Sequence, residues 1–580
     1  MKVSLLLSQF CFAGLISAAF VDPLPAPRNV TWGNSGSITF ADKPDLHVDG
    51  ASNDVLLQAF ERMWTTVTDL KWIPYSVAAN ITHGSVSQKK LSNITVSLSD
   101  EKSDLQLGVS ETYTLDVTED AVVIEADTVW GALHAFTTLQ QLFIYNKESQ
   151  NYYIENPVSI WDEPLYQHRG IMLDTGRNFL SKGKIMQQIE VMALCKLNVL
   201  HWHMVDTQSW AIEIKTYPEM IKDAYSDRES FSQEDILDII QYGKTHGVRI
   251  VPEVDLPGHA NSGWKRVDPS IVACGNTFWA DTAVEPGPGQ LDISSNKTIQ
   301  VVKNVYKELS KLFPDNVFHI GADELQATCW NTSSGILDWY KSHPASPSKG
   351  SGFIQLLQYW VDMMYPFFTK SKRITTWQDF ITDGVNVPKD TIIQTWNGGA
   401  SSTKNLTSSG YDVIVSTADF LYLDCGYGGF VTNDPRYLDL AKNDEFNEGA
   451  GGSWCNPYKT WQRIYNYDFA DGLTEEENKR VLGAEVALWS EQVDSTVVTQ
   501  KLWPRAAALA ESTWSGNKDD KGDYRAYYFT QRINEFREYL VEMGVDASPL
   551  VPKMCVKYPH TCDFYKDPLE LNKWNTTTAA

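Results

Sequence analysis

Apolar and polar residues alternate in short runs through the first part of the chain, up to about residue 163. Such alternation predicts β-strands, because successive side chains of a strand face opposite sides of a sheet. Three clear runs are residues 94–98, 113–117 and 121–124. Helical periodicity interrupts them at residues 54–66 and 129–142. The first block therefore predicts a small α+β domain, to which the sequence assigns no chemistry.

After residue 164 the pattern changes to short apolar runs separated by longer segments of helical periodicity. This alternation is typical of βαβ units, in which helices join parallel strands. The candidate strands are residues 170–174, 198–203, 249–255, 317–324, 373–378, 391–396, 412–416 and 483–489. The main helices predicted between them are residues 182–195, 231–247, 297–313, 353–370 and 497–514. Eight strands favour a closed (β/α)8 TIM barrel. A doubly wound open sheet is the alternative, but no glycine-rich phosphate turn follows the first strand.

The start of the chain resembles a secretory signal peptide. Lys2 is followed by the apolar residues 3–16, and small residues at 17–19 form a cleavage site. No later segment is long enough and free enough of charge to span a membrane, so we expect a soluble protein that is secreted and extracellular. The expected organisation is a signal peptide at 1–19, a supporting α+β domain at 20–165, a (β/α)8 barrel at 166–520, and a C-terminal helix with a disulfide-stapled tail at 521–580.

Cysteine usage agrees with export. Without Cys11, which the signal peptide carries, seven cysteines remain, so at least one is unpaired. Cys195 lies in an apolar helical run and is the expected buried thiol. Local pairing of the others would join Cys274 to Cys329, Cys425 to Cys455, and Cys555 to Cys562, although six cysteines allow many connectivities. Sequons for N-glycosylation lie at Asn29, Asn80, Asn93, Asn296, Asn331, Asn405 and Asn575.

The charge balance narrows the possible partners. Asp and Glu number 73 against 49 Lys and Arg, which gives a net charge of −24. Nucleic acids and anionic membranes require clustered basic residues, so neither is an expected partner. The chain also has 20 Trp residues, and carbohydrate sites use flat aromatic faces to bind the C–H face of a sugar ring. We expect most of these Trp residues to lie in the core and a few to bind substrate.

Polar side chains recur at the carboxyl ends of the predicted strands, which is where a (β/α)8 barrel has its active site. One polar residue after a strand is ordinarily a loop residue, but recurrence after eight strands needs another explanation. The residues are Asp174 with Arg177, His203 with Asp206, Glu253 and Asp255 with His259, His319 with Asp323 and Glu324, Trp377, Trp396, Tyr422 with Asp424, and Trp489 with Glu491. The active site is therefore predicted at this end of the barrel.

Residues 319–324, His-Ile-Gly-Ala-Asp-Glu, resemble the His-x-Gly-Gly-Asp-Glu signature of glycoside hydrolase family 20, the β-N-acetylhexosaminidases. Other segments similar to that family follow its order along the chain, at residues 168–170, 174–177, 201–206, 257–259, 376–378, 422–424 and 488–491. The resemblance extends from about residue 20 to residue 562. It implies an exo-acting enzyme that removes terminal N-acetylhexosamine from chitooligosaccharides or glycans, with no metal or other cofactor. Fungal-type relatives further imply a glycosylated homodimer. Asn178, Thr207 and Ala322 depart from the family pattern.

The catalytic roles are implied by this resemblance. Asp323 and Glu324 would point to opposite faces of a strand unless its end bends, so they are poorly placed to straddle a glycosidic bond. The resemblance implies instead that the 2-acetamido oxygen of the substrate attacks the anomeric carbon and forms an oxazolinium ion. Glu324 would be the general acid and base, Asp323 would orient the acetamido group, His259 would connect Asp206 to Glu324, and Tyr422 would donate to the acetamido oxygen. The implied sugar-binding residues are Arg177, Trp377, Trp396, Asp424, Trp489 and Glu491.

Two other classes of function remain open from the sequence. Histidines and carboxylates at strand ends also build hydrolytic metal centres. The candidate ligands are His201, His203, Asp206, Glu253, Asp255 and His259. A metal centre would leave Asp323, Glu324 and the Trp residues without a role. The second alternative is a carbohydrate-binding barrel without catalysis, against which the intact acid pair argues.

Overall fold

The computed structural model describes residues 21–50, 53–75, 90–345, 350–433, 454–567 and 570. The predicted signal peptide, Cys11, and the sequons at Asn80 and Asn575 lie outside these residues. Within them the chain forms an eight-stranded open sheet and a closed eight-stranded barrel, each with its own large hydrophobic core. None of the helices seen there is long and apolar enough to cross a lipid bilayer.

The first sheet is mixed, in the order β1-β8-β4-β5-β3-β2-β7-β6. Its strands are β1 Asn29–Trp32, β2 Ile38–Val48, β3 Lys90–Asp100, β4 Tyr113–Val117, β5 Val122–Thr128, β6 Ile144–Asn146, β7 Asn151–Ile154 and β8 Val158–Asp162. The helices Asp54–Leu70 and Val129–Leu142 contact each other and pack on the sheet. Buried positions alternate with half-buried ones along β4, and with half-buried or exposed ones along β5, so the period of two is visible in the sequence. The small α+β domain is thus confirmed.

The second block is a closed barrel of eight parallel strands, as predicted. The chain order β9, β10, β11, β14, β15, β16, β17, β18 is also the order around the barrel. The strands are β9 His168–Asp174, β10 Val199–His203, β11 Arg249–Glu253, β14 Val317–His319, β15 Arg373–Trp377, β16 Ile392–Thr395, β17 Asp412–Val415 and β18 Val481–Leu488. A short hairpin, β12 Val272–Ala273 with β13 Gln290–Leu291, follows β11. The parallel strands bring their carboxyl ends to one face.

Helices separate the barrel strands and end the chain. Those of eight or more residues are Lys182–Leu194, Gln233–Thr245, Asn296–Leu312, Ser334–Ser342, Gly352–Phe368, Gly399–Ser408, Arg505–Ser515 and Ala526–Glu542. Shorter helices are Met220–Asp223, Trp264–Val267, Pro269–Ile271, Trp279–Thr282, Ala327–Trp330, Asp379–Thr382, Ala418–Leu421, Trp461–Tyr465, Glu475–Asn478, Val498–Leu502 and Lys553–Lys557. Ser232 caps the second long helix through a capping box.

The single helix predicted over residues 497–514 is wrong, because the structure divides it into Val498–Leu502 and Arg505–Ser515. Trp503 is extended at the break, with φ −104° and ψ 140°. Its neighbour Pro504 has no N–H to donate and sterically disfavours a helical residue before it. The apolar periodicity continues across the break, so periodicity alone did not reveal it.

Buried ion pairs join the small sheet domain to the barrel. Glu111 accepts hydrogen bonds of 2.9 and 2.6 Å from the guanidinium of Arg169, and Lys196 donates to Asp162 at 2.8 Å. Trp514, from the helix after β18, packs in the core of the sheet domain. Because a buried charge is costly without its partner, these pairs fix how the two parts dock. The exact domain boundaries at residues 165 and 520 remain predictions.

Three disulfide bonds are present, joining Cys274 to Cys329, Cys425 to Cys455, and Cys555 to Cys562. Cys195 is the free cysteine of the described part of the chain, and it is fully buried. The first bond connects the end of β12 to the helix that follows the turn after β14. The sequon asparagines in this part of the chain are all exposed: Asn29, Asn93, Asn296, Asn331 and Asn405.

Candidate active site

The turn after β14 places the two neighbouring acids. The predicted strand 317–324 is too long, since β14 ends at His319 and a bend follows. Gly321, Ala322 and Glu324 have φ values of 65°, 83° and 53°, in the left-handed region. At Gly321 a side chain would collide with the carboxylate of Asp255, so both the space and the backbone angle require glycine. The bend removes the strand alternation that would have sent the two acids to opposite faces.

As a result, Asp323 and Glu324 both face the same imidazole nitrogen. His259 Nε2 lies 3.4 Å from Glu324 Oε2 and 3.8 Å from Asp323 Oδ2. The Glu324 side chain is 29% exposed, whereas that of Asp323 is 12% exposed. Glu324 is therefore the member of the pair that is more open to the solvent side of the site, and Asp323 lies deeper.

The other ring nitrogen of His259 faces Asp206. His259 Nδ1 lies 3.3 Å from Asp206 Oδ1, and Arg177 Nη1 lies 3.1 Å from Asp206 Oδ2. Burial opposes the negative charge of Asp206, yet Arg177 and His259 hold the pKa of Asp206 well below its usual value. The charge of Asp206 likewise raises the pKa of His259 well above its usual value despite burial. A carboxylate and an imidazolium thus lie in line behind Glu324. Thr207, one of the departures from the family pattern, donates its hydroxyl to Asp206 at 3.0 Å.

Asp323 has a second carboxyl group beside it. Oxygens of Asp255 and Asp323 and a ring nitrogen of His259 all lie within 4.8 Å of one another. Burial, and then the charge of Asp255, raise the pKa of Asp323 well above its usual value, and burial raises that of Asp255. Two buried carboxyls this close hold a proton between them more readily than two charges. The sequence placed Asp255 at a strand end and named it only as a candidate metal ligand, because its partner Asp323 follows a different strand.

Arg177 lies at the centre of a group of acids. Its Nε and Nη2 atoms donate to Glu285 Oε1 at 3.1 and 2.9 Å, and its guanidinium lies 4.8 Å from the ring centre of Trp489. Gln208 donates to the same Glu285 oxygen at 3.2 Å. Glu285 was missed by the sequence reasoning. It lies in the loop between β12 and β13, away from any strand end, and nothing in the local sequence distinguishes it.

Aromatic side chains form a wall beside the acids. The rings of Trp377 and Trp489 lie 6.0 Å apart, and Tyr422 lies 6.1 Å from Trp489. Trp377 is 1% exposed and Tyr422 3%, so both are held firmly by their surroundings. Trp396 packs against the same cluster. The three Trp residues predicted as the wall thus lie in one cluster with Tyr422, at the carboxyl ends of β15 to β18.

Asp424 and Glu491 complete the predicted set. Burial raises the pKa of Asp424 to about 7 and that of Glu491 well above its usual value. Glu491 interacts electrostatically with Arg177, Glu285 and Asp424, which places these charges in one region. All eleven residues that the sequence nominated for catalysis or sugar binding therefore lie around one site.

Asp379 is a further member that the sequence did not nominate. Its Oδ1 atom accepts the backbone N–H of Glu324 at 3.2 Å, and its Oδ2 atom accepts the indole N–H of Trp396 at 2.6 Å. Burial, and then the charge of Asp323, raise its pKa to about 7. It lies two residues beyond Trp377, so reading past the end of the predicted strand would have found it.

The histidines proposed as metal ligands are engaged with carboxylates. His203 Nδ1 lies 2.7 Å from Glu253 Oε2, and His203 Nε2 lies 2.9 Å from Asp206 Oδ2. His201 lies 2.8 Å from Glu485 and 3.0 Å from Glu253. Five of the six candidate ligands, His201, His203, Asp206, Glu253 and His259, therefore form a network of ion pairs inside the barrel.

Comparison with known proteins finds a family profile and relatives that match most of the chain. The profile described as glycosyl hydrolase family 20, catalytic domain, matches residues 166–517, and one described as beta-acetyl hexosaminidase like matches residues 23–142. The chain is 48% identical to Beta-hexosaminidase 1 of Coccidioides posadasii, over 96% of this chain and 97% of that protein. It is 47% identical to the Beta-hexosaminidase of Emericella nidulans, over the same shares.

A solved structure agrees with these matches. The X-ray structure of Flavobacterium johnsoniae chitobiase superposes with a TM-score of 0.72 at 25% identity, over 90% of this chain and 73% of that one. The match includes both the barrel and part of the chain ahead of it, as does the pair of profiles. Together with the acid pair on its bent turn, these findings show that the chain belongs to glycosyl hydrolase family 20, the β-N-acetylhexosaminidase family of glycoside hydrolases.

Proposed function

We propose that the chain is a secreted, exo-acting β-N-acetylhexosaminidase that removes terminal N-acetylhexosamine by substrate-assisted, retaining catalysis. The observation that carries the mechanism is the meeting of Asp323 and Glu324 on one nitrogen of His259. Two carboxylates grouped on one imidazole are poorly placed to act from opposite sides of a glycosidic bond, as a nucleophile and an acid must. This arrangement favours a nucleophile that belongs to the substrate.

In the first step the acetamido oxygen of the substrate attacks the anomeric carbon. The glycosidic C–O bond breaks, and the leaving oxygen takes the proton of Glu324, which gives an oxazolinium ion. Asp323 orients the acetamido group and stabilises the positive charge that develops on its nitrogen. In the second step the Glu324 carboxylate accepts a proton from water, the water oxygen bonds to the anomeric carbon, and the oxazolinium ring opens. Two inversions leave the anomeric configuration unchanged.

The surroundings of Glu324 support this assignment. A general acid must reach the leaving group from outside the sugar ring, and Glu324 is the more exposed of the two acids. Behind it, the ion pair of His259 with Asp206 supplies a charged partner for the carboxylate formed in the first step. Asp323 lies deeper, against Asp255. This position suits a group that orients the acetamido group and stabilises its positive charge without transferring a proton to the leaving group.

The remaining residues fit recognition of a sugar. Arg177, Asp424 and Glu491 offer charged donors and acceptors for ring hydroxyls, and Tyr422 offers a hydroxyl donor for the acetamido oxygen. Trp377, Trp396 and Trp489 supply apolar faces for the ring. Chitobiose is a reasonable first substrate, since the similar Flavobacterium johnsoniae protein is a chitobiase.

The decisive experiment compares matched aryl β-glycosides that differ only at carbon 2. A 2-acetamido glycoside should be hydrolysed, whereas the 2-hydroxy glycoside lacks the internal nucleophile and should be at least about 10⁴-fold slower, because an intramolecular nucleophile is worth several powers of ten. Replacing the acetyl hydrogens stepwise by fluorine keeps the shape but weakens the attacking oxygen, so the rate should fall with each fluorine. Comparable rates for both glycosides would contradict substrate assistance.

Export, glycosylation and assembly are part of the proposal. Three disulfide bonds and the five exposed sequon asparagines fit an extracellular chain. Mass spectrometry of the protein secreted by a eukaryotic host should show a mature chain beginning near residue 20 and glycans on those asparagines. Sedimentation should report a homodimer. A chain that keeps residues 1–19 and carries no glycan would contradict the first two points.

A further inference from the structure

The acid–base residues continue into the barrel beyond Asp206. His203 Nε2 lies 2.9 Å from Asp206 Oδ2, while His259 faces the other oxygen of that carboxylate. His203 Nδ1 lies 2.7 Å from Glu253 Oε2. An unbroken line of alternating acids and imidazoles thus runs from Glu324 through His259, Asp206 and His203 to Glu253. None of the last three is more than 1% exposed.

Glu253 also holds the aromatic wall of the site. Its Oε1 atom accepts the indole N–H of Trp377 at 3.0 Å, while Oε2 faces His203 and lies 3.0 Å from His201 Nε2. One buried carboxylate therefore uses one oxygen for the wall that contacts the sugar and the other for the line of acid–base residues. A shift of Glu253 would therefore move both Trp377 and His203.

We propose, on the basis of the function proposed above, that Glu253 is a positioning residue for the acid–base step and acts on Glu324 through His203, Asp206 and His259. The geometry explains how. His203 binds Asp206 Oδ2 together with Arg177, while His259 and Thr207 bind Oδ1, so His203 is one of the two groups that set the orientation of this carboxylate on its Oδ2 side. His203 is fixed in turn because both of its ring nitrogens bind carboxylates.

Charge supports the same assignment. Although burial opposes it, Glu253 and Asp206 raise the pKa of His203 well above its usual value, so His203 is an imidazolium between two carboxylates. Charge-assisted hydrogen bonds are shorter and stronger than neutral ones. Glutamine at position 253 can adopt two orientations. In one, its amide N–H group faces His203 and cannot accept a hydrogen bond. In the other, its neutral oxygen faces His203, and its N–H group then faces the indole N–H of Trp377, so the bond to Trp377 is lost.

The test uses two substrates and a matched control. Glu253→Gln and His203→Gln are compared with Glu485→Gln, which removes another fully buried carboxylate from the barrel interior. Glu485 binds His168, His201 and Gln394 at 2.8 to 2.9 Å, but nearer the amino ends of the strands. Single-turnover rates are measured on chitobiose, a poor leaving group, and on an aryl glycoside with an acidic phenol. Their ratio reports proton donation and is independent of the fraction of folded enzyme.

We expect Glu253→Gln and His203→Gln to slow chitobiose cleavage by about 10- to 100-fold and the aryl glycoside far less, as the loss of one charge-assisted bond allows. Glu485→Gln should keep the wild-type ratio within about twofold, whatever its thermal stability. Unchanged ratios in both test variants, or an equal change in Glu485→Gln, would overturn the proposal. The proposal would also be overturned if both test variants failed to fold while Glu485→Gln folded, because Glu253 and His203 would then be needed for folding and not specifically for proton donation. Wild-type inactivity on both substrates would instead refute the proposed function.

Discussion

Asp323→Asn should make the protein more stable and less active at the same time. Asp323 is buried, and Asp255 lies beside it, close enough for the two carboxyls to share a proton. Burial, and then the charge of Asp255, raise its pKa well above the usual value. The unfolded chain therefore loses this proton at a lower pH than the folded chain does, and the free energy of unfolding falls as the pH rises.

The size of the gain follows from the crowding of two buried carboxyls. At pH 7 such a pair must either hold a proton between its members or carry two charges, and this costs about 1 to 3 kcal/mol. Asparagine removes the charge and offers an N–H to Asp255, so the free energy of unfolding at pH 7 should rise by about that amount. At about pH 3 the native Asp323 and its unfolded counterpart are both largely protonated, and the gain should nearly vanish.

Activity should respond in the opposite direction. Loss of a charge that stabilises the transition state costs roughly 10²- to 10³-fold, and it should do so for every leaving group. Glu324→Gln is the matched comparison. Its side chain is 29% exposed, so stability should change by less than about 0.5 kcal/mol. The loss of proton donation, about 10²- to 10⁴-fold, should fall mainly on poor leaving groups.

Urea unfolding at pH 7 and at low pH tests the predicted gain in stability. Single-turnover rates on chitobiose and on an activated aryl glycoside test the predicted loss of activity. The reasoning about Asp323 fails if Asp323→Asn is no more stable than the wild type at pH 7, or if the gain is the same at low pH. A leaving-group-dependent loss in Asp323→Asn, with a uniform loss in Glu324→Gln, would show that the two roles are reversed.

Three further outcomes are expected. Replacing Cys274 and Cys329 by alanine opens a loop of 55 residues and should lower the free energy of unfolding by about 4 kcal/mol. The same change at Cys555 and Cys562, which are 7 residues apart, should lower it by about 2 kcal/mol. Denaturant titrations measure both losses, and equal losses would contradict the chain-entropy estimate. Hydrolysis should survive EDTA, because no proposed step uses a metal; loss on chelation, with recovery on adding Zn²⁺, would favour the metal hypothesis. Burial, and then the charge of Asp323, raise the pKa of Asp379 to about 7, so stability should fall as the pH rises from about 4 to 7. Asp379→Asn should reduce that slope in urea titrations, and an unchanged slope would refute the pKa shift.

The architecture was predictable because it depends on burial. Strands such as β10 and β18 are buried along their whole length, so each reads as an apolar run between polar loops. The order of the runs then gives the parallel barrel. The single helix predicted over residues 497–514 shows the limit of this signal, since Pro504 breaks the backbone without changing the apolar face.

The members of the site were more predictable the closer they lie to a strand end. Arg177 and Glu491 lie within a few residues of β9 and β18, so the barrel rule located them. Glu285 lies in a loop between two short strands, and its contact with Arg177 depends on how that loop folds back. Partnerships such as that of Asp255 with Asp323 join residues from different strands, which neither periodicity nor motif spacing records.

The turn after β14 shows why the local backbone mattered most. A straight strand would have separated Asp323 from Glu324, and the sequence alone could say only that a bend was needed. The structure supplies the bend through Asp255, whose Oδ1 atom accepts the backbone N–H of Ala322 at 2.8 Å and occupies the space beside Gly321. Ala322, which stands where the family signature has glycine, keeps a left-handed φ of 83° that usually favours glycine. Burial, and then the charge of this carboxyl, raise the pKa of Asp323, so Asp255 shapes the turn and also contributes to the charge state of the acid that the turn carries.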